Sequence, residues 1–113
     1  MTNDLYAVAD FCLIPMGTGQ PSVAKYIAEC QRVLRQSGLV FHMHGYGTNI
    51  EGPWSQVVQA IHDCHAAVHA MGAPRIATDV RIGTRVDREI AVGEGNEGKV
   101  RRVEELLAGE EQS

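Results

Sequence analysis

The stretch from Gly45 to Trp54 holds the side chains best suited to binding or catalysis. Thr48 supplies a hydroxyl, Glu51 supplies a lone carboxylate, and Trp54 is the only tryptophan of the chain. The glycines of this stretch can adopt backbone angles that other residues avoid, so a tight turn is predicted to bring Thr48 and Glu51 together on a short strand. An acid, a hydroxyl and aromatic rings suit a small polar ligand. The same glycines also fit a plain hairpin followed by a helix that starts at Pro53.

Three cysteines offer thiols, but their spacing does not indicate a disulfide framework. Cys12, Cys30 and Cys64 form no C-x-x-C pair and are odd in number, which favours a reducing compartment. Cys12 would act as a nucleophile only with a base beside it, and His42 or His44 could meet it across the predicted sheet. No motif specifies such an enzyme. A small Cys-dependent enzyme therefore stays an alternative, and no catalytic residue is assigned.

Histidines at helical spacing invite the hypothesis of a metal site. His62, His65 and His69 would lie along one helix. His65, however, falls within the apolar arc of that helix, where a hydrogen-bonded core residue is the simpler interpretation. We therefore predict no metal and no cofactor.

The pattern Gly93-x-x-x-x-Gly98-Lys99 has the outline of a phosphate-binding loop. Val100 replaces the Ser or Thr that would bind magnesium, and glutamates within the loop would repel phosphate. No complete βαβ unit follows it either. A P-loop site is therefore not expected.

Composition and charge narrow the class of protein. The 113 residues are 44% hydrophobic and 21% charged, with a formal net charge of −4 and 5% aromatic residues. This balance is typical of one globular domain, here residues 1–113, and it disfavours nucleic acid or an anionic membrane as a partner. The N-terminus lacks a basic segment followed by an apolar one, and no apolar run reaches transmembrane length. A cytoplasmic protein is therefore expected.

Hydrophobic periodicity predicts the elements that position these residues. Alternation favours strands over residues 5–15, 39–46, 48–51 and 75–82, and helical spacing favours helices over 22–37 and 54–71 with a short helix over 100–107. Ser22 is the expected N-cap and Gly38 the expected left-handed C-cap of the first helix. The order βαββαβ predicts an α+β ferredoxin-like sandwich, in which two helices cover one face of an antiparallel four-stranded sheet.

The other face of this sheet is predicted to be uncovered. If the apolar residues of the first strand point at the helices, the opposite face carries Asp10, Cys12, His42, His44, Tyr46, Asp79 and Arg81. A mixed surface of this kind on a small domain favours burial against a second copy. A homo-oligomer is therefore expected.

The motifs and their order resemble the thiamine-binding YkoF-like family over roughly residues 5–107. The resemblance lies in Leu13–Gly19, Pro21–Val23, Gly47–Gly52 and Arg75–Ile82, and the variant Glu51–Trp54 with Gly83–Asp87 is similar to the fungal branch of the family. It implies a ferredoxin-like fold, assembly into homodimers or homotetramers, and binding of thiamine or its hydroxymethylpyrimidine precursor without catalysis. The chain departs from the family over residues 91–98, where it carries additional Gly and Glu residues.

The resemblance also implies a set of ligand-binding positions, namely Thr18, Ser22, Thr48, Glu51 and Gly52. Thiamine has an aminopyrimidine edge, a flat ring and a cation, so its site needs a carboxylate or hydroxyls and an aromatic wall, and Trp54 could supply the wall. Ser22 equally fits helix capping, and Trp54 equally fits core packing. A structural oligomer without any ligand is the remaining alternative.

Overall fold

The computed structural model describes residues 4–112, and their secondary structure follows the predicted order βαββαβ with a third helix at the end. The elements are β1 Tyr6–Met16, α1 Ala24–Ser37, β2 Val40–His44, β3 Gly47–Pro53, α2 Trp54–Ala70, β4 Arg75–Gly83 and α3 Gly95–Gln112. The predicted α+β class is confirmed. The third strand is longer than predicted, because it continues past Glu51 to Pro53.

The four strands form one antiparallel sheet in the order β2-β3-β1-β4. The central strand β1 pairs with β3 only as far as Phe11↔Thr48, whereas its pairing with β4 continues to Met16↔Arg75. Residues 12–16 of β1 therefore have a neighbouring strand on one side only. Within the described part of the chain, their other edge carries no strand.

Helices α1 and α2 pack on one face of this sheet and enclose the core. Side chains alternate along a strand, so every second residue of β1 points at the helices, and Ala7, Ala9, Phe11 and Leu13 are all buried. The helices contribute the buried residues Tyr26, Cys30 and Leu34 of α1 and Val57, Ala60, Cys64 and Val68 of α2. This arrangement is the ferredoxin-like sandwich that the pattern predicts.

The C-terminal cap of α1 is the one predicted, whereas the N-terminal cap is not. Gly38 is the left-handed C-cap, with φ of 76°, a conformation that glycine adopts at little cost. At the other end Val23, not Ser22, occupies the N-cap position, and no side chain caps the helix from there. The Ser22 hydroxyl accepts the Ala24 N–H at 3.3 Å. Ser22 therefore contacts the first turn of the helix from the position before the N-cap.

Helix α3 differs most from the expectation. It has 18 residues instead of about eight, and Gly95 in its first turn is buried against Val8 and Glu51 on the sheet face that α1 and α2 leave free. That face is therefore partly covered. From Lys99 to Glu110 every residue is exposed, so most of α3 projects from the domain. The radius of gyration of 16.3 Å exceeds the ~13 Å of a compact chain of about this length.

Candidate functional site

A cavity of about 230 Å³ lies beside the free edge of β1, between α1 and the tip of the β2–β3 hairpin. We call it the hairpin pocket. Its walls include Phe11, Leu13, Ile27, Gln31, Tyr46 and Thr48. Most of this lining is apolar, with a few polar groups, as is usual in sites for small molecules.

Thr48 is the polar centre of the hairpin pocket. It is 4% exposed, because the pairing Phe11↔Thr48 turns its side chain toward the helices. The Gln31 side chain donates a hydrogen bond from Nε2 to Thr48 Oγ1 at 3.0 Å. An amide and a hydroxyl together provide donors and acceptors to a ligand, so this pair can orient a polar ring inside an apolar pocket.

The free edge of β1 adds backbone groups to the same pocket. Residues 12–15 line it and lack a neighbouring strand on that side in the part of the chain that the structure describes. A strand edge presents N–H and C=O groups in a row, except at Pro15, which has no N–H. A flat ligand with alternating donors and acceptors can pair with such an edge as an added strand would.

Two of the predicted ligand-binding residues border the hairpin pocket without lining it. Thr18, which is half-buried, and Ser22, which is exposed, lie on the loop between β1 and α1, and Pro15 and Val23 on either side of them line the pocket. The Thr18 hydroxyl donates to the Gln20 carbonyl at 3.2 Å. Both hydroxyls therefore have local partners.

Glu51 lies on the opposite face of the sheet, where α3 covers it. Its carboxylate is 2% exposed and accepts three hydrogen bonds, from the Tyr6 hydroxyl at 2.6 Å, the Gly95 N–H at 2.8 Å and the Asn96 N–H at 3.0 Å. A carboxylate at a helix N-terminus satisfies free N–H groups and favours the helix dipole. Burial, with the hydrogen bond to Glu51, raises the pKa of Tyr6 to about 12.

The expected meeting of Thr48 and Glu51 is therefore wrong. Both residues belong to β3, and residues three apart on a strand point to opposite faces of the sheet. Gly52 and Trp54 are also outside the hairpin pocket. Gly52 has φ of 155°, and a Cβ there would lie 2.6 Å from the Leu39 side chain, while Trp54 is 39% exposed at the start of α2.

Of the two hairpin glycines, only Gly47 has a steric role, because a Cβ at Gly45 would meet no atom within 4 Å. Neither Gly45 nor Gly47 has a positive φ, which contradicts the predicted reason for the turn. At Gly47 a Cβ would lie 2.5 Å from the Phe11 carbonyl oxygen and 3.3 Å from the His44 ring. The absence of a side chain lets the imidazole of His44 pass over β3 and reach Asp10 on β1.

Two contacts of the site escaped the sequence reasoning. Gln31 lies four residues after Ile27 and three before Leu34, on the apolar side of α1. This spacing indicates a polar side chain that faces the sheet. Tyr6 faces Glu51 diagonally across the β1–β3 pair. Only knowledge of the strand register could have joined these two residues.

The alternative of a Cys-dependent enzyme gains no support from the geometry. The Nε2–H of His44 donates to Asp10 Oδ1 at 2.6 Å, and its Nδ1 accepts the Tyr46 N–H at 3.3 Å. Both ring nitrogens are thus engaged, and among the described residues no hydrogen bond joins Cys12 to an imidazole. Burial raises the pKa of Asp10, but hydrogen bonds from Arg81 and His44 outweigh it and leave that pKa lowered.

The histidines of α2 are satisfied by protein groups. His65 Nε2 is hydrogen-bonded to the Thr78 hydroxyl at 2.6 Å, as predicted, although His65 is half-buried and lies at the edge of the core, and His69 Nδ1 donates to the Ala73 carbonyl at 2.8 Å. Over the described residues, no three His, Cys, Asp or Glu side chains are grouped as metal ligands would be. Likewise, no helix in the described range is long and apolar enough to cross a membrane.

Comparison with known proteins gives a consistent family. The profile of a family described as "Thiamine-binding protein" matches residues 9–104. The UPF0045 protein sll0230 of Synechocystis sp. is 50% identical over 100 residues, which cover 88% of this chain and 78% of the relative. The fungal UPF0045 protein ECM15 of Eremothecium gossypii is 40% identical over 87 residues, covering 77% and 83%.

Solved structures share the fold. The hypothetical protein MJ1052 of Methanocaldococcus jannascii superposes with a TM-score of 0.75 at 27% identity, over 88% of this chain and 97% of that one. TM0486 of Thermotoga maritima, whose name proposes a part in thiamine biosynthesis or salvage, gives a TM-score of 0.67 at 13% identity, over 84% and 98%. At that identity the second match supports the fold alone.

Proposed function

The chain belongs to the thiamine-binding protein family, and on that premise we propose that it binds thiamine or hydroxymethylpyrimidine in the hairpin pocket, without catalysis. The observation that carries the proposal is the hydrogen bond between the buried Thr48 and the half-buried Gln31, because Thr48 is also one of the positions that the resemblance to the family assigns to the ligand. An aminopyrimidine has ring nitrogens that accept and an amine that donates. Such an edge is complementary to a hydroxyl, an amide and a free strand edge.

The rest of the pocket suits the other parts of this ligand. Phe11 and Tyr46 border it, and the Tyr46 side chain is 90% exposed, so its ring is available to stack on a flat ring or a thiazolium cation. Thr18 and Ser22, on the adjoining loop, are proposed as contacts at the mouth. A cation is also favoured by the net charge of −4.

Three other predicted positions, Glu51, Gly52 and Trp54, do not reach the hairpin pocket. A ligand could reach Glu51 only if the first turn of α3 left the carboxylate, because three donors already occupy it. Gly52 and Trp54 do not line the hairpin pocket. We therefore centre the binding proposal on Thr48 and propose no direct ligand contact for Glu51, Gly52 or Trp54.

We further propose that the protein works as a cytoplasmic homodimer or homotetramer. Val100, Val103, Leu106 and Leu107 form an exposed apolar stripe on the projecting part of α3, each side chain being 51–62% exposed. Such a stripe at helical spacing is typical of a helix that packs against another surface. The free thiols of Cys12, Cys30 and Cys64 support a reducing compartment.

Calorimetric titration tests the binding proposal directly. The full chain is titrated with thiamine, its phosphates and hydroxymethylpyrimidine, and saturable binding of at least one of them is expected. Thr48→Val should weaken that binding roughly 2- to 10-fold, the value of one neutral hydrogen bond. Thr78→Val is the matched control, because this threonine also has a side-chain partner but lies outside the pocket.

The outcomes separate cleanly. Equal affinity in Thr48→Val and Thr78→Val would remove the hairpin pocket from the proposal. A wild-type chain that binds none of the ligands would favour a structural oligomer without a ligand.

A further inference from the structure

A second and larger cavity lies on the sheet face opposite to the hairpin pocket. We call it the α3 pocket. Its volume is about 670 Å³, and it is enclosed by Val8 of β1, the loop that follows β4 and the first three turns of α3. Such a volume admits a ligand considerably larger than a single phosphate ion.

Basic side chains from two separate segments converge on the α3 pocket. Arg85 and Arg88 come from the loop after β4, and Lys99 and Arg102 come from α3. These are four of the ten Lys and Arg residues in a chain whose net charge is −4. Such a concentration of positive charge in an acidic chain needs a reason, because like charges repel one another.

Internal ion pairs neutralise only part of this charge. Arg85 is paired with Asp87, and the acidic Glu94 of the pocket is paired with Arg101. Among the described residues, the Arg88 side chain has one hydrogen bond, to the Glu89 carbonyl at 3.2 Å, and its charge also attracts Asp87 without a direct ion pair.

The side chains of two of the basic residues have no partner. Within the described residues, neither the Lys99 nor the Arg102 side chain has an ion pair or a hydrogen bond, and Glu105 is the one acidic side chain of the pocket that is likewise without an ion pair. Among the described residues, the pocket thus keeps three cations without an ion pair, counting Arg88, against one carboxylate without an ion pair.

The start of α3 itself does not supply the anion site. The Gly95 and Asn96 N–H groups, which a phosphate loop would offer to its ligand, are both donated to Glu51. The pattern that ends in Gly98-Lys99 is therefore not a phosphate loop. An anion in the α3 pocket would be held by side chains alone, with guanidinium groups forming forked hydrogen bonds and an ammonium acting as a point charge.

We infer that the α3 pocket binds a small molecule that carries a phosphate or diphosphate group, held between Arg88 on the loop and Lys99 and Arg102 on α3. The inference stands apart from the proposed function, because it concerns a different cavity on the other face of the sheet. The apolar side chains of Val8 and Ile90, which also line the pocket, leave room for an organic part of the ligand.

The probe for this site is inorganic pyrophosphate, titrated into the full chain by calorimetry and by amide NMR. Saturable binding is expected, with shifts confined to residues 83–105. The double variant Arg88→Gln/Lys99→Gln should weaken it at least about tenfold, because each lost contact is a hydrogen bond to a charged group. Both side chains are exposed, so the fold is expected to survive.

The matched control is Arg32→Gln/Arg35→Gln, which removes the same charge from exposed positions on α1, across the sheet. Its pyrophosphate affinity should stay within about twofold of the wild type, since distant surface charges are screened by salt. Equal weakening in the two double variants would overturn the inference, because it would show attraction by net charge alone. Absence of saturation up to millimolar pyrophosphate would overturn it as well.

Two sources of the phosphate group are separated by a further comparison. Thiamine diphosphate is titrated into the Thr48→Val variant, where the hairpin pocket is impaired, and compared with pyrophosphate. Tighter binding of the ester supports a phosphorylated organic ligand, and equal binding supports inorganic diphosphate. Because pyrophosphate has no pyrimidine, failure of thiamine binding in the hairpin pocket leaves the pyrophosphate result unaffected.

Discussion

The hydroxyl of Tyr6 lies 2.6 Å from Oε2 of Glu51 and joins β1 to the start of α3 through one carboxylate. The Gly93 N–H in turn donates to the Tyr6 oxygen at 3.3 Å, so Tyr6 contacts the strand and the segment before the helix at once. From Lys99 to Glu110, α3 is exposed. The position of the helix therefore depends on this small buried network.

Tyr6→Phe tests that network. The variant removes a donor to a buried carboxylate, and hydrogen bonds to charged groups are worth about 1.5–3 kcal/mol, so the free energy of unfolding in urea should fall by about that amount. Tyr46→Phe is the control, because Tyr46 is 90% exposed and a surface change of this kind stays within about 0.5 kcal/mol. If both variants lose the same stability, the Tyr6–Glu51 contact does not hold α3.

Glu51→Gln separates two roles of the same carboxylate. If the carboxylate holds the start of α3, neutralising it should lower the free energy of unfolding by about 1.5–3 kcal/mol. The Gly95 and Asn96 amides should then exchange faster with solvent. Thiamine affinity, measured on folded protein, should change less than twofold. The reverse pattern, with unchanged melting and clearly weaker binding, would return Glu51 to the ligand site.

The fold was predictable because its elements obey local rules. The period-2 pattern of β1, the left-handed Gly38 and the apolar stripes of α1 and α2 are each visible in a short window of sequence. The hairpin pocket was less predictable, because Thr48 and Gln31 meet across 17 residues. Their contact depends on the packing of α1 on the sheet.

The place of Glu51 could not be predicted from its neighbours. The sequence assigns it to a ligand, but it accepts N–H groups of α3, 44 and 45 residues away. The alternation of side chains along β3 is the one local feature that separates Glu51 from Thr48, since residues 48 and 51 of a strand face opposite sides of the sheet. The convergence of basic residues in the α3 pocket likewise arises only when the loop after β4 folds against α3.

If the apolar stripe of α3 forms the subunit interface, a charged residue placed within the stripe should weaken the oligomer. Leu106→Asp should raise the dissociation constant by at least about tenfold, the equivalent of one leucine side chain returned to water. Light scattering across a dilution series measures it. Ala108→Asp adds the same charge off the stripe, at a different angle around the helix, and should leave the assembly intact.

A wild-type chain that is monomeric at micromolar concentration would contradict the proposed oligomer. Dissociation caused equally by Ala108→Asp would contradict the role of the stripe, since the two variants would then act through net charge.

The last prediction concerns the dependence of stability on pH. Burial, with the positive charges of His69 and His62, lowers the pKa of His65 below its ordinary value of 6.5. The unfolded chain therefore binds a proton on this residue more readily than the folded chain. Stability from this source is complete above pH 6.5 and is lost as the pH falls from 6.5 through the lower folded pKa. Asp10, with its lowered pKa, loses its contribution separately, below pH 3.8.

His65→Gln isolates this effect. The amide can keep a hydrogen bond to Thr78 but cannot titrate, so the unfolding free energy of the variant should fall less between pH 7 and pH 5 than that of the wild type. His62→Gln, at a position whose side chain is 71% exposed, should keep most of the wild-type slope. Urea unfolding at several pH values measures all three proteins. If His65→Gln retains the full wild-type slope, protonation of His65 is not what destabilises the fold in mild acid, and the contact between α2 and Thr78 on β4 is insensitive to pH.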